Sequence, residues 1–237
     1  MSLAANTPDP SLGLRQSRRM EGVQDPVIPT VGELSKANPG TISLGQGVVS
    51  YAPPASIHEK LEAFEKHPDN HKYKLVQGIP ELLSAIQIKL REENQIDVNT
   101  TDQVVVTAGS NMGFHNAILA IADPGDEILL PSPFYFNHEM AIDMASCIVK
   151  VVPTGSNHQL DLSAIESRTT ARMRAIVTIS PNNPSGAVYP PETLKAVNVL
   201  CRERGIYHIS DEAYEYFTYE GARHFSPGSL AGASATW

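Results

Sequence analysis

Five short apolar segments, in the part of the chain after residue 100, constrain the fold more than any other feature. They are Gln103–Thr107, Glu127–Pro131, Ile148–Val152, Arg174–Ser180 and Ile206–Ser210. Predicted helices at about 111–122, from about 137 and at 191–204 alternate with them, and Gly205 follows the last helix as a stop signal. Short, continuously apolar strands that alternate with amphipathic helices predict an α/β fold, with a mostly parallel sheet and helices on both faces.

The first hundred residues give weaker signals. Residues 54–66 and 79–94 are predicted helices, the second with an apolar face that includes Ile79, Leu83 and Ile86. Residues 1–40 are rich in Pro, Gly, Ser and charge and predict an irregular arm, and Thr41–Leu44 predicts a short strand.

Composition excludes several classes of function. The 237 residues carry a net charge of −8, which disfavours a nucleic-acid partner. The two cysteines do not make a disulfide framework, and no apolar run approaches the ~18 residues of a membrane helix. His67 and His71 are separated by Pro68, which spoils a shared helical face, so no metal site is predicted. We expect a cytoplasmic protein without a membrane partner.

Ligands of parallel sheets bind beyond the carboxyl ends of the strands, so the residues after each strand are the candidates for function. Thr107–Gly113 (TAGSNMG) opens a helix with glycine and small polar residues, which suits either a phosphate or an ordinary helix cap. Ser132–Glu139 (SPFYFNHE) holds three aromatic residues, which suit either core packing or stacking on a flat ring.

The two remaining strand ends carry polar side chains. Ser180–Gly186 (SPNNPSG) is a loop in which Asn182 and Asn183 are either turn formers or amide donors to a ligand. Ser210–Phe217 (SDEAYEYF) places Asp211 directly after a buried strand, as a helix cap or as a carboxylate that pairs with a protonated ring nitrogen. In this order, the four motifs describe a pocket for a flat, phosphorylated, nitrogen-containing ring.

At this point the chain resembles the class I/II aminotransferases, which are fold-type I enzymes dependent on pyridoxal 5'-phosphate (PLP). The resemblance runs from about Ile42 to the end and depends on SPNNPSG and SDEAY at this separation. It implies a set of cofactor-binding residues. They are Gly109, Ser110 and Asn111 at the phosphate, Tyr135 stacked on the pyridine ring, Asn183 and Tyr214 at its phenolic oxygen, and Asp211 at its nitrogen.

The resemblance also implies a homodimer, because Tyr73 matches a tyrosine that reaches the phosphate of the neighbouring subunit. Gly47 matches a glycine that helps to hold the substrate carboxylate, and the substrates implied are an amino acid and a 2-oxo acid. Residues 1–47 would then be an N-terminal arm with part of the small domain, and residues 48–237 an incomplete PLP-binding large domain.

One departure from the family pattern concerns catalysis. The family's Schiff-base lysine follows the Asp-x-x-Tyr motif, but this chain has no lysine after Lys195, which precedes that motif. No catalytic residue is therefore assigned. We expect a truncated large domain, poor solubility or association, and little transaminase activity from the chain alone, since that lysine also moves the substrate proton.

Other functions remain open at this stage. A PLP-dependent carbon–sulfur lyase would share the same ring pocket, and a non-catalytic relic of the fold would retain it without turnover. A nicotinamide site at Gly45–Ser50 (GQGVVS) is disfavoured, because Ser50 replaces the third glycine of G-x-G-x-x-G and two prolines follow.

Overall fold

A computed structural model of the chain describes residues 15, 17–24, 27–43, 47, 49–98 and 103–231. The chain divides into two compact units, one formed by residues 24–76 and the other by residues 1–23 with 77–237. The boundary predicted between residues 47 and 48 remains a prediction.

The described residues of the smaller unit form helices α1 (Val27–Ala37) and α2 (Ala55–Glu65) and a 3-10 turn at Pro68–His71. Helix α2 confirms the helix predicted at 54–66. The prediction of an irregular arm over residues 1–40 is wrong for Val27–Ala37, which form α1. Pro29 lies in the first turn of this helix, where the backbone N–H has no partner within the helix, so proline does not prevent helix formation. Thr41–Ser43 are not in a strand, and Leu44 lies outside the described residues.

The larger unit is built on a four-stranded sheet in which all neighbouring strands are parallel. It follows helices α3 (Pro80–Glu93) and α4 (Ser110–Ile121). The strands are β1 (Glu127–Ser132), β2 (Ile148–Pro153), β3 (Met173–Ile179) and β4 (Tyr207–Asp211), in the spatial order β2-β1-β3-β4. Helices α5 (Phe136–Met144), α6 (Leu162–Arg168) and α7 (Pro191–Arg204) connect them. The predicted parallel α/β sheet is confirmed.

Successive strand residues face opposite sides of this sheet and enter two separate cores. Ile128 and Leu130 of β1 pack with α4 and α5, whereas Leu129 packs with α6 and α7. All three side chains are buried. Helices therefore cover both faces, as the sequence predicts, and α7 ends at Gly205 in the left-handed conformation, with φ 65°.

The strand predicted at Gln103–Thr107 is wrong. Val104 is buried, but Val105 and Val106 are exposed, and the segment is not part of the described sheet. Its Val106 N–H donates a hydrogen bond to the Gln77 carbonyl at 2.7 Å, and one bond of this kind does not make a strand ladder.

Helix α6 was not predicted from the sequence. Asp161 caps it by accepting a hydrogen bond from the Ala164 N–H at 3.0 Å.

Gly78, just before α3, occupies a position that other residues fit poorly. Its φ is +135°, and an added Cβ would lie 3.0 Å from Val106 Cγ2. Val106 is β-branched and cannot easily move its methyl group away. We expect Gly78→Ala to lower the free energy of unfolding by about 2 kcal/mol in urea titrations.

Gly32 provides the matched control. It lies inside α1 with nothing within 4 Å of the added Cβ. Gly32→Ala should therefore leave stability unchanged or raise it by up to about 1 kcal/mol. Equal effects of the two substitutions would contradict the assignment of strain to Gly78.

Among the described residues, no helix is both long and apolar enough to cross a membrane.

Candidate active site

The carboxyl ends of β1, β3 and β4 lie at one edge of the sheet, because the strands are parallel. Strand β1 ends at Ser132, and Ile179 of β3 pairs in register with Asp211 of β4. The loops that leave this edge begin with Ser132–Pro133 and Ser180–Pro181, both cis peptides. The segments singled out by sequence after these strands therefore share this edge.

Asp211 is the last residue of β4, the outer strand of the described sheet next to β3. Its Oδ2 lies 3.0 Å from His138 Nε2, and its Oδ1 accepts a hydrogen bond from the Ala213 N–H at 3.0 Å. Burial by itself raises the pKa of Asp211, but the hydrogen bonds from His138 and Ala213 outweigh it and bring the pKa below its ordinary value. Asp211 is thus an anionic carboxylate whose side chain retains 21% exposure, so a ligand can still approach it.

His138 connects Asp211 to the aromatic residues of two helices. Its ring lies 4.1 Å, between centroids, from Phe114 of α4 and 5.6 Å from Tyr135, which it meets edge-on. The His138 side chain is 3% exposed, and its second ring nitrogen, Nδ1, is buried without a hydrogen-bond partner. The arrangement fixes the imidazole and directs Nε2 at the carboxylate.

Tyr135 lies at the start of α5, one residue before the helix begins. Its hydroxyl accepts a hydrogen bond from Asn137 Nδ2 at 2.6 Å, and its ring also contacts Phe136, at 5.1 Å between centroids. Tyr135 and Asp211 therefore both contact the imidazole of His138.

The two asparagines of the Ser180–Gly186 loop have different environments. Asn182 is buried, and its side chain is used within the fold. Its Nδ2 donates to the Pro133 carbonyl at 3.3 Å, and its Oδ1 accepts from Ser185 N–H and Oγ–H, at 3.1 and 2.7 Å. Asn183 is half-buried. Of the pair, Asn182 shapes the loop and Asn183 is the one available to a ligand.

The start of α4 is open. Gly109 precedes the helix with φ 87° and ψ 160°, and nothing lies within 4 Å of the position of an added Cβ. The carbonyl of Gly109 accepts a hydrogen bond from Thr107 Oγ–H at 2.8 Å, and Ser110 and Asn111 are exposed in the first turn. Free N–H groups at this end of a twelve-residue helix favour an anion.

Tyr214 lies in the turn that follows β4. Its side chain is 41% exposed and meets Phe217 edge-on, with 5.9 Å between ring centroids. The Phe217 N–H donates to the Tyr214 carbonyl at 2.8 Å. Tyr214 thus stands three residues after Asp211, in a turn closed by its own backbone.

A sequence profile of aminotransferase classes I and II matches residues 39–234. The chain belongs to this aminotransferase family. An aromatic aminotransferase from Arabidopsis thaliana is 35% identical over 215 residues, which are 88% of this chain and 53% of that protein. The aspartate/prephenate aminotransferase of Thermus thermophilus is 37% identical over 221 residues, 90% of this chain and 51% of the relative.

A solved structure of Thermus thermophilus aspartate aminotransferase with maleate has the same fold. It superposes with a TM-score of 0.85 at 34% identity, over 94% of this chain and 59% of that chain. The aminotransferase chain described here therefore spans about half the length of the curated relatives it matches.

Aminotransferases of classes I and II depend on PLP, and the chemistry of this edge fits that cofactor. An anionic carboxylate with a remaining opening, Asp211, suits the protonated nitrogen of a pyridine ring. An open helix start at Gly109 suits a phosphate group.

Tyr73 and Gly47 lie in the smaller unit of this aminotransferase chain, and both are exposed. Tyr73 is fully exposed within the chain. Their predicted roles, at the phosphate of a neighbouring subunit and at the substrate carboxylate, stay predictions.

The pairing of His138 with Asp211 was not predicted from the sequence. The residue lies within Ser132–Glu139, three positions after Tyr135 and so nearly one helical turn away. A histidine at that spacing, at the start of a helix beyond a strand end, is the signal that could have identified it.

Proposed function

We propose that the chain is the cofactor-binding part of a PLP-dependent aminotransferase that moves an amino group between an amino acid and a 2-oxo acid. One observation carries the proposal. Asp211 is held as an anion at the carboxyl edge of the sheet by His138 and the Ala213 N–H. When bound, PLP acts as an electron sink, and an anion at its ring nitrogen keeps that nitrogen protonated.

The remaining cofactor contacts are part of the same proposal. Gly109, Ser110 and Asn111 bind the phosphate through the open start of α4. Tyr135 stacks on the ring, supported by its contact with His138. Asn183 and Tyr214 donate hydrogen bonds to the phenolic oxygen, and the exposure of Tyr214 leaves its hydroxyl free to do so.

The proposal extends to assembly and location. Tyr73 would reach the phosphate of a second copy of the chain, so a homodimer is expected, and its full exposure within one chain supports this role. Gly47 would hold the substrate carboxylate. A cytoplasmic location is proposed from the cysteine content, because two widely spaced cysteines suit a reducing compartment.

Comparison of PLP with pyridoxal, which lacks the phosphate, tests the cofactor site. We expect the 237-residue chain to bind PLP at least about tenfold more tightly, because charge-assisted hydrogen bonds to the phosphate are lost with pyridoxal. Ser110→Ala should reduce that ratio. Binding is measured by equilibrium dialysis, which needs no covalent bond to the protein.

Ser163→Ala is the matched control, since Ser163 lies in the first turn of α6 rather than of α4. Equal affinity for PLP and pyridoxal would contradict the phosphate assignment. In the same preparation we expect little amino transfer, because no lysine follows Lys195. Turnover comparable to that of a complete aminotransferase would contradict this expectation, and release of a thiol product would favour the lyase instead.

A further inference from the structure

The turn after β4 begins directly after Asp211, the last residue of the strand, and carries Tyr214. Two further acidic residues attach this turn to the rest of the unit. Glu212 and Glu215 alternate with the proposed ligand residues. Their side chains are 19% and 17% exposed, so each carboxylate is largely removed from water and needs partners within the protein.

Glu215 is held by the end of α3. Lys89 Nζ forms an ion pair with Glu215 Oε1, and Asn94 Nδ2 donates to Oε2 at 2.7 Å. Lys89 also donates to Asn94 Oδ1 at 2.6 Å, so the three side chains form a closed triangle. Burial raises the pKa of Glu215, but the hydrogen bonds from Lys89 and Asn94 outweigh it and lower the pKa.

Tyr216 adds a second attachment to the same helix. Lys89 Nζ lies 5.6 Å from the centroid of the Tyr216 ring, and the Tyr216 hydroxyl donates to Glu93. Lys89 therefore contacts two residues of the turn, through its charge and through a cation–π interaction. Its side chain is only 30% exposed.

Glu212 is held on the other side of Tyr214. Its Oε1 accepts from Ser210 Oγ–H and Ser226 Oγ–H, both at 2.9 Å, and its Oε2 lies 2.9 Å from His224 Nε2. The backbone closes the turn between the two carboxylates, since the Glu215 N–H donates to the Glu212 carbonyl at 3.0 Å. The chain is thus fixed two residues before Tyr214 and one residue after it.

The same acidic residues do not require a metal ion. Ligand atoms of Glu212, Glu215 and His224 lie within 4.8 Å of one another. The Lys89 ammonium already supplies the cation for Glu215, and Glu212 already accepts hydrogen bonds at both oxygens. Protein groups therefore satisfy both carboxylates.

We propose that Lys89 is a positioning residue for the cofactor site: through its contacts with Glu215 and Tyr216, it fixes the turn that follows Asp211 and presents Tyr214 to PLP. The inference rests on the proposed function for the identity of the ligand. The effect of Lys89 on the order of the turn without ligand does not depend on which ligand binds.

Lys89→Met tests the inference, because methionine retains much of the apolar stem and removes the charge. We expect PLP to bind about tenfold more weakly to K89M than to the wild-type chain, since a charged hydrogen-bond partner of a buried carboxylate is lost. Without PLP, hydrogen exchange of the Glu215 and Phe217 amides should become about tenfold faster. Lys89→Arg, which restores the charge and the donors, should recover both properties to within about threefold.

Lys150→Met is the matched control. Lys150 is 35% exposed and lies 3.9 Å from Glu127, whose side chain is 2% exposed, at the opposite end of the sheet. A general loss of stability would affect K89M and K150M alike, whereas positioning predicts weaker PLP binding and faster exchange in K89M only. Wild-type affinity in K89M, or an equal loss in K150M, would overturn the inference.

The two measurements distinguish failure of the proposed PLP site from failure of the role assigned to Lys89. If the wild-type chain does not bind PLP, the cofactor assignment fails. The amide exchange of K89M then decides the positioning role, and unchanged protection of Glu215 and Phe217 would overturn it.

Discussion

Replacing Asp211 with asparagine is expected to weaken PLP binding about 100-fold, equivalent to about 3 kcal/mol. The side chain keeps its size, and the new amide oxygen can still accept from the Ala213 N–H or from His138. What is lost is the negative charge, which burial opposes and the His138 and Ala213 hydrogen bonds maintain. Equilibrium dialysis at neutral pH measures the change.

Asp143→Asn is the control for this substitution. Asp143 is a partly buried carboxylate at the end of α5, the helix that also carries His138, and burial raises its pKa. Its removal should leave PLP affinity within about twofold. Circular dichroism establishes that both variants are folded. If Asp211→Asn binds PLP as tightly as the wild-type chain, the proposed pairing of the Asp211 carboxylate with the PLP ring nitrogen is contradicted.

The parts of the fold that sequence predicted are those determined by local periodicity. Helix α7 was predicted at 191–204 and is found at Pro191–Arg204, because its apolar positions, its first-turn proline and Gly205 are all local signals. The segment Gln103–Thr107 is also strongly apolar, and this predicted a strand. A strand, however, needs a neighbouring strand to complete its backbone hydrogen bonds. That requirement cannot be read from the segment itself.

The sequence predicts the candidate site only in part, for the same reason. The position of Asp211 after a buried strand was sufficient to predict its place at the carboxyl edge. Its partner could not be predicted this way, since His138 reaches Asp211 only when β4 and α5 pack together. Likewise, the loop residues by themselves left Asn182 and Asn183 as equals, and only the resemblance to the family singled out Asn183. The hydrogen bonds of Asn182 within the loop could not be read from the sequence.

The core beneath the site contains a buried histidine that should make stability depend on pH. His208 of β4 is 0% exposed, and its ring nitrogens face Thr178 Oγ1 at 2.9 Å and Asn198 Nδ2 at 3.5 Å. Burial lowers the pKa of His208 from 6.5 to about 4. The folded protein therefore keeps this ring neutral where the unfolded chain would protonate it.

The sign of the effect follows from proton binding. Well above pH 6.5 both states are neutral at His208, so it contributes no pH dependence there. As the pH falls from 6.5 to about 4, only the unfolded chain takes up the proton, and the free energy of unfolding decreases. At ~1.4 kcal/mol per pKa unit, the total loss is about 3 kcal/mol.

His208→Gln isolates this contribution, because glutamine retains hydrogen-bonding groups without titrating in this range. The carboxylates with raised pKa, Glu139 and Asp143, bind protons in the folded state and act in the opposite direction. The difference between the wild-type and H208Q unfolding curves cancels their effect. We expect that difference to change by about 3 kcal/mol between pH 7 and pH 4 in urea titrations. H58Q, which removes an exposed histidine of α2, should retain the wild-type slope. If the free energies of unfolding of the wild-type chain and H208Q differ by the same amount at every pH, His208 has the same pKa in the folded and unfolded states. That result would contradict the lowered pKa expected from its burial.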